Sequence, residues 1–129
     1  MDKRVLYVDL ESFDEHITIN LNCISSLMLN DNLVVSYVFK KGYHQKLGLN
    51  SDQVIEVPLE FYPKLIIKNG LINRLHILKR LFYLKNSINF NSYDIVFFSC
   101  YEEITFFIAN LPCNVFLLNH NNVASIDSF

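Results

Sequence analysis

Three polar clusters in this chain carry the residue types that move protons or hold hydroxyls. Asp9 to His16 supplies carboxylates, a serine and an imidazole. Ser99 to Glu103 supplies a hydroxyl, a thiol, a phenol and two carboxylates. Asn119 to Asn122 supplies amides and His120. His16 is the sharpest candidate, because an imidazole can take a proton from a hydroxyl near neutral pH. Asp14 or Glu15 can orient it. His120 follows a buried-looking run, where it can donate to a phosphate or a sugar hydroxyl. Ser12, Asp14, Ser99, Glu102 and Asn119 are the neighbouring ligand-binding candidates. His44 and His76 read as surface residues. The four histidines lack metal-ligand spacing, and Cys23, Cys100 and Cys113 lack C-x-x-C spacing, so no metal is assigned and the thiols read as free.

Each cluster follows an apolar run. Tyr93 to Ser99 and Asn114 to His120 are strand-like runs that look buried on two faces, with a helix-like segment between them. Strand, helix, strand is the signature of a parallel sheet, and such a sheet binds ligands where its strands end. Arg4 to Leu10 is a first strand. Phe13, Ile17, Leu21, Ile24 and Met28 then step by 4, 4, 3 and 4, one face of a helix. Leu33 to Phe39 is a second strand, and Lys40 to Asp52 a polar loop. Gln53 to Val57 is a third strand, and Glu60 to Asn69 is irregular around Pro63. A long helix over Gly70 to Lys85 buries Leu71, Leu75, Leu78 and Phe82, with Arg74, Lys79 and Arg80 turned away. The expected architecture is α/β: a Rossmann-like three-layer sandwich with a five-stranded parallel sheet of order 3-2-1-4-5 and helices on both faces. Strands near 4–10, 33–39, 53–57, 93–99 and 114–119 alternate with helices near 13–29, 70–85 and 101–110. The crevice opens between strands one and four, where the connection direction reverses.

The 129 residues suit one domain, and 51% hydrophobic against 19% charged residues describes a globular chain. No apolar run reaches the roughly 18 residues that span a bilayer. The first residues do not form a secretory signal, which points to the cytoplasm. Nine of eleven Lys and Arg but three of thirteen acids lie between Lys40 and Lys85, leaving that segment near +6 and the rest near −8. A basic middle is either a solvated face or a surface for an anionic partner, such as a phosphate-bearing substrate or the inner face of an anionic membrane. Dinucleotide, Walker and nucleophile-elbow motifs are missing, as is the aromatic and basic interleaving of a nucleic-acid platform.

Three passages together resemble the N-terminal domain of GT-B fold glycosyltransferases of the family 4 type. They are the opening strand running into a helix that bears His16, the Tyr93-Asp94-Ile95-Val96 strand, and the strand ending at Asn119 and His120. The likeness covers nearly the whole chain. The first loop, Leu10 to Glu15, lacks the glycines frequent in that family. The resemblance implies that residues 1–129 form the acceptor-binding half of a two-domain enzyme of polysaccharide or lipid-linked sugar synthesis. His16 and His120 would be its cleft positions. The nucleotide-sugar donor would sit in a C-terminal domain or on a separate partner chain, so this half would bind no cofactor and be inactive alone. Partners would be a sugar or lipid-linked acceptor and, through an exposed edge, a second copy. A non-catalytic Rossmann-like binding or scaffold module, and a small stand-alone enzyme using His16, are the competing classes.

Overall fold

The computed structural model describes residues 2–63, 70–99 and 114–117. The chain is α/β. Strand β1 (Lys3–Asp9) leads through a tight helical turn, Asp14–His16, into helix α1 (Ile17–Met28). Strand β2 (Leu33–Lys40), the one-turn helix α2 (Tyr43–Lys46) and strand β3 (Val54–Val57) follow. Helix α3 (Gly70–Ser87) precedes strand β4 (Ile95–Phe98). These strands form a parallel sheet in the order β3-β2-β1-β4. In register, Val5 lies opposite Val35 on one side and Ile95 on the other. The backbone of Asn114–Leu117 runs parallel to β4 on its far side, with Ile95 opposite Asn114. The segment expected as a helix over 101–110 lies outside the described residues.

β1 is buried from Val5 to Asp9 because both sheet faces are covered. On one face Tyr7, Tyr37 and Phe39 pack with Ile24 of α1 and with Tyr43, Leu47 and Leu49. On the other, Leu6, Val8, Val38, Val96 and Phe98 pack with Leu81, Leu84 and Ile88. Alternate residues of each strand thus feed two separate cores, the consequence of the two-residue side-chain period.

Two helix faces differ from expectation. In α1 the inward residues are Asn20 and Ile24, flanked by Ile17, Cys23 and Leu27, while Phe13, Leu21 and Met28 are exposed. The face is rotated by about one residue because a polar side chain, Asn20, occupies its centre. In α3 the expected stripe of Leu71, Leu75, Leu78 and Phe82 points outward, and Arg80, Leu81 and Leu84 are buried. The helix is apolar on two sides, and the inner one accepts an arginine because a carboxylate meets it there. The Lys40 to Asp52 stretch is also more ordered than a polar loop. Gly42 and Gly48, at φ 84 and φ 72, allow the chain to turn on either side of α2, which drops Tyr43 into the core and buries His44, expected at the surface, beside it.

Candidate functional site

The site grows from Asp9, the last residue of β1, which is fully buried. Such a carboxyl group must have hydrogen-bond partners. One oxygen, Oδ1, accepts the Ser12 backbone N–H at 3.1 Å. The other, Oδ2, accepts the Asn20 side-chain amide at 2.8 Å and meets His16 Nδ1 at 3.3 Å. His16 is thus held from the end of β1, seven residues back along the chain.

Asn20 extends the network inward. Its Oδ1 accepts the Tyr7 hydroxyl at 2.6 Å, and its amide also donates to Tyr43 at 3.1 Å. Tyr43 in turn donates to the Phe13 carbonyl at 2.8 Å. Burial pushes the Tyr7 phenol well above its usual range, although a hydrogen bond with the Ser99 side chain acts the other way. Burial likewise pushes Tyr43 up to about 12. Both phenols therefore act as neutral donors, and the sense of the chain is fixed from Tyr7 through Asn20 to Asp9.

Ser12 shapes the loop. Its φ of 49 lies in the left-handed region, uncommon for a residue with a Cβ. The Ser12 hydroxyl donates to the Asp9 carbonyl at 2.7 Å and accepts the Lys40 backbone N–H at 3.0 Å. Those bonds offset a conformational cost of about 1–3 kcal/mol. Strain of this kind gathers at functional sites.

A buried ion pair adjoins the loop. Arg80 of α3 donates from one terminal nitrogen to Glu11 at 3.1 Å and from the other to the Phe61 carbonyl at 3.1 Å. Its guanidinium lies 4.6 Å from the centre of the Tyr62 ring. Burial raises the Glu11 carboxyl above the ordinary value, outweighing the opposite pull of Arg80. The hydrogen bond to Asp9 raises His16 above its ordinary 6.5, with Glu11 and Glu15 adding to it and burial opposing it. At the rim, the partly exposed His16 ring stands edge-on to the exposed Phe13 ring at 5.2 Å.

The sequence candidates divide. His16, Ser12 and Ser99 come together around the carboxyl ends of β1 and β4, where the Ser99 N–H donates to the Val8 carbonyl at 2.7 Å. Ser12 supports the loop through bonds within the protein. Asp14 does not hold His16. It is exposed and pairs with Lys46 at 2.6 Å, a contact that lowers its carboxyl below the ordinary range. Glu102, Asn119 and His120 lie outside the described residues. Asp9, Asn20, Tyr43, Glu11 and Arg80 were not legible as a constellation. The one available signal was Asp9 itself, a carboxylate ending an otherwise apolar strand. Among the described residues no group of three or more His, Cys, Asp or Glu side chains could hold a metal ion. No helix among them is long and apolar enough to cross a membrane.

Comparison with family models, with curated proteins and with solved structures finds no match for this chain.

Proposed function

We propose that the chain is the acceptor-binding domain of a nucleotide-sugar-dependent glycosyltransferase of the GT-B type, working with a donor-binding domain that supplies the activated sugar. The observation that carries the reading is the buried Asp9 carboxylate holding His16 Nδ1 at the reversal between β1 and β4. The reading takes the sheet as five-stranded in the order 3-2-1-4-5, and the parallel alignment of Asn114–Leu117 with β4 supports that order. In an open parallel sheet, a ligand binds at such a reversal.

The chemistry follows from the geometry. With Nδ1 engaged by Asp9, any proton that His16 takes from an acceptor hydroxyl is taken at Nε2. Asp9 then stabilises the imidazolium that forms, and Asn20 keeps Asp9 in place. The exposed Phe13 ring offers an apolar face on which a sugar ring can stack. Glu102, Asn119 and His120 are the proposed contacts to ligand hydroxyls, whereas Ser99 is fully buried and its side chain is hydrogen-bonded to Tyr7, so it supports the site from within. Because His16 is raised above 6.5, activity that needs the neutral base rises with pH through that raised value.

The test is transfer of labelled sugar to a glycan or lipid-linked acceptor by the complete two-domain enzyme. His16→Ala is expected to lower turnover by roughly 100-fold while acceptor binding persists. His120→Ala is expected chiefly to weaken acceptor binding. Wild-type turnover and acceptor affinity in His16→Ala would overturn the reading. A second reading, a non-catalytic Rossmann-like binding or scaffold module, is favoured by the use of the Ser12 hydroxyl and the Asn20 amide in bonds within the protein. On that reading His16→Ala changes stability and no ligand response.

A further inference from the structure

We propose that the outer face of α3 lies on an anionic lipid bilayer. This inference is independent of the acceptor-domain reading. Leu71, Leu75, Leu78 and Phe82 are 69%, 49%, 47% and 62% exposed. Their spacing of 4, 3 and 4 residues places them in one stripe, on the side of the helix turned away from Leu84. The helix therefore has an inner apolar face, which seals one core, and an outer one. A stripe of large apolar side chains along several helical turns is an interaction surface.

Charge selects the occupant. Arg74 and Lys85 flank the stripe on one side and Lys79 on the other, and all three are exposed. From Phe61 to Tyr93 the sequence holds six lysines and arginines and no acid. Arg80 is turned inward to Glu11, so it neither interrupts the stripe nor adds to its rim. A second copy packed stripe to stripe would bring basic rims together with no carboxylate on either helix to meet them. An anionic bilayer meets both features at once. Its acyl boundary takes the apolar side chains, and its headgroups take the flanking cations, whose long stems reach along the surface. The geometry is that of a helix lying in the interface plane, not one spanning it.

The experiment is co-sedimentation of the full chain with vesicles of phosphatidylglycerol and phosphatidylcholine, against vesicles of phosphatidylcholine alone. Binding is expected with anionic lipid and lost as salt rises. Neutralising Arg74, Lys79 or Lys85 to Gln is expected to lower affinity about fivefold each. Leu78→Glu with Phe82→Glu is expected to lower it by roughly 100-fold. Both positions are exposed, and circular dichroism checks that the double variant stays folded. Equal binding to the two vesicle types would overturn the proposal, as would no binding to either. A dimer that the double variant disperses, with no vesicle binding, would instead assign the face to a second copy.

Discussion

Asp9 sets what His16 can do. The hydrogen bond between them favours the imidazolium, so His16 titrates above 6.5 in the folded chain and near 6.5 when unfolded. The folded state then holds its proton more tightly. The stability this contributes is fully present below about 6.5 and is lost as pH rises through the folded value. In Asp9→Asn the charge and the carboxylate acceptor are gone, and His16 is expected to fall back toward the ordinary value. Histidine ring resonances followed by NMR across pH read this directly. An unchanged His16 midpoint in Asp9→Asn would show that some other group sets it. The histidine was legible in the sequence because it sits at a helix start beside a sheet edge. Its partner was not. Asp14 and Glu15 are adjacent in sequence, yet the turn Asp14–His16 directs the ring back toward the end of β1, while Asp14 reaches out to Lys46. Asn20 escaped notice for a related reason, since a helical period marks apolar positions and cannot flag a polar residue whose partners come from other elements.

Arg80 joins α3 to two other pieces of the fold. It binds Glu11 in the loop after β1, and it holds the Phe61 carbonyl and the Tyr62 ring. Both members of the ion pair are largely out of water, with side chains 4% and 12% exposed. A buried charge left alone is costly, whereas removing both charges together is often near neutral. Glu11→Gln or Arg80→Met alone is therefore expected to destabilise the chain by about 3–5 kcal/mol, and the double replacement by clearly less than the sum. Urea unfolding of the four proteins in the cycle measures this, and additive losses would show that the two charges do not interact. Such a pair also explains why the inner face of α3 was misread from sequence. Leu71, Leu75, Leu78 and Phe82 form the cleaner periodic stripe, and an arginine among Leu81 and Leu84 argues for a solvent face. Only a carboxylate brought from 69 positions away reverses that argument. The helix itself, by contrast, was legible to within a few residues at each end, because its length and period do not depend on which face turns inward.

At the scale of the whole molecule, the arrangement follows from where β1 sits. It has β2 on one side and β4 on the other, α1 over the Tyr7 face and α3 over the face of Leu6 and Val8. This order was readable in the sequence because strands buried on two faces are apolar throughout, and because strand and helix alternate along the chain. Tyr43 in the Tyr7 core was not readable, since Gly42 and Gly48 look like loop punctuation and hide the helical turn they frame. A strand enclosed on four sides opens only when the whole domain opens. Amides of Leu6, Tyr7 and Val8 are therefore expected to exchange hydrogen with the free energy of global unfolding, as measured by urea. Amides of β3, bonded to β2 on one side, are expected to exchange at lower free energy. β4 decides the remaining point of architecture. If Asn114–Leu117 closes its far side as a fifth strand, β4 amides that point away from β1 are protected nearly as well as those of β1. If those amides instead exchange like the open side of β3, β4 is an edge, and the five-stranded order that the acceptor-domain reading assumes is wrong.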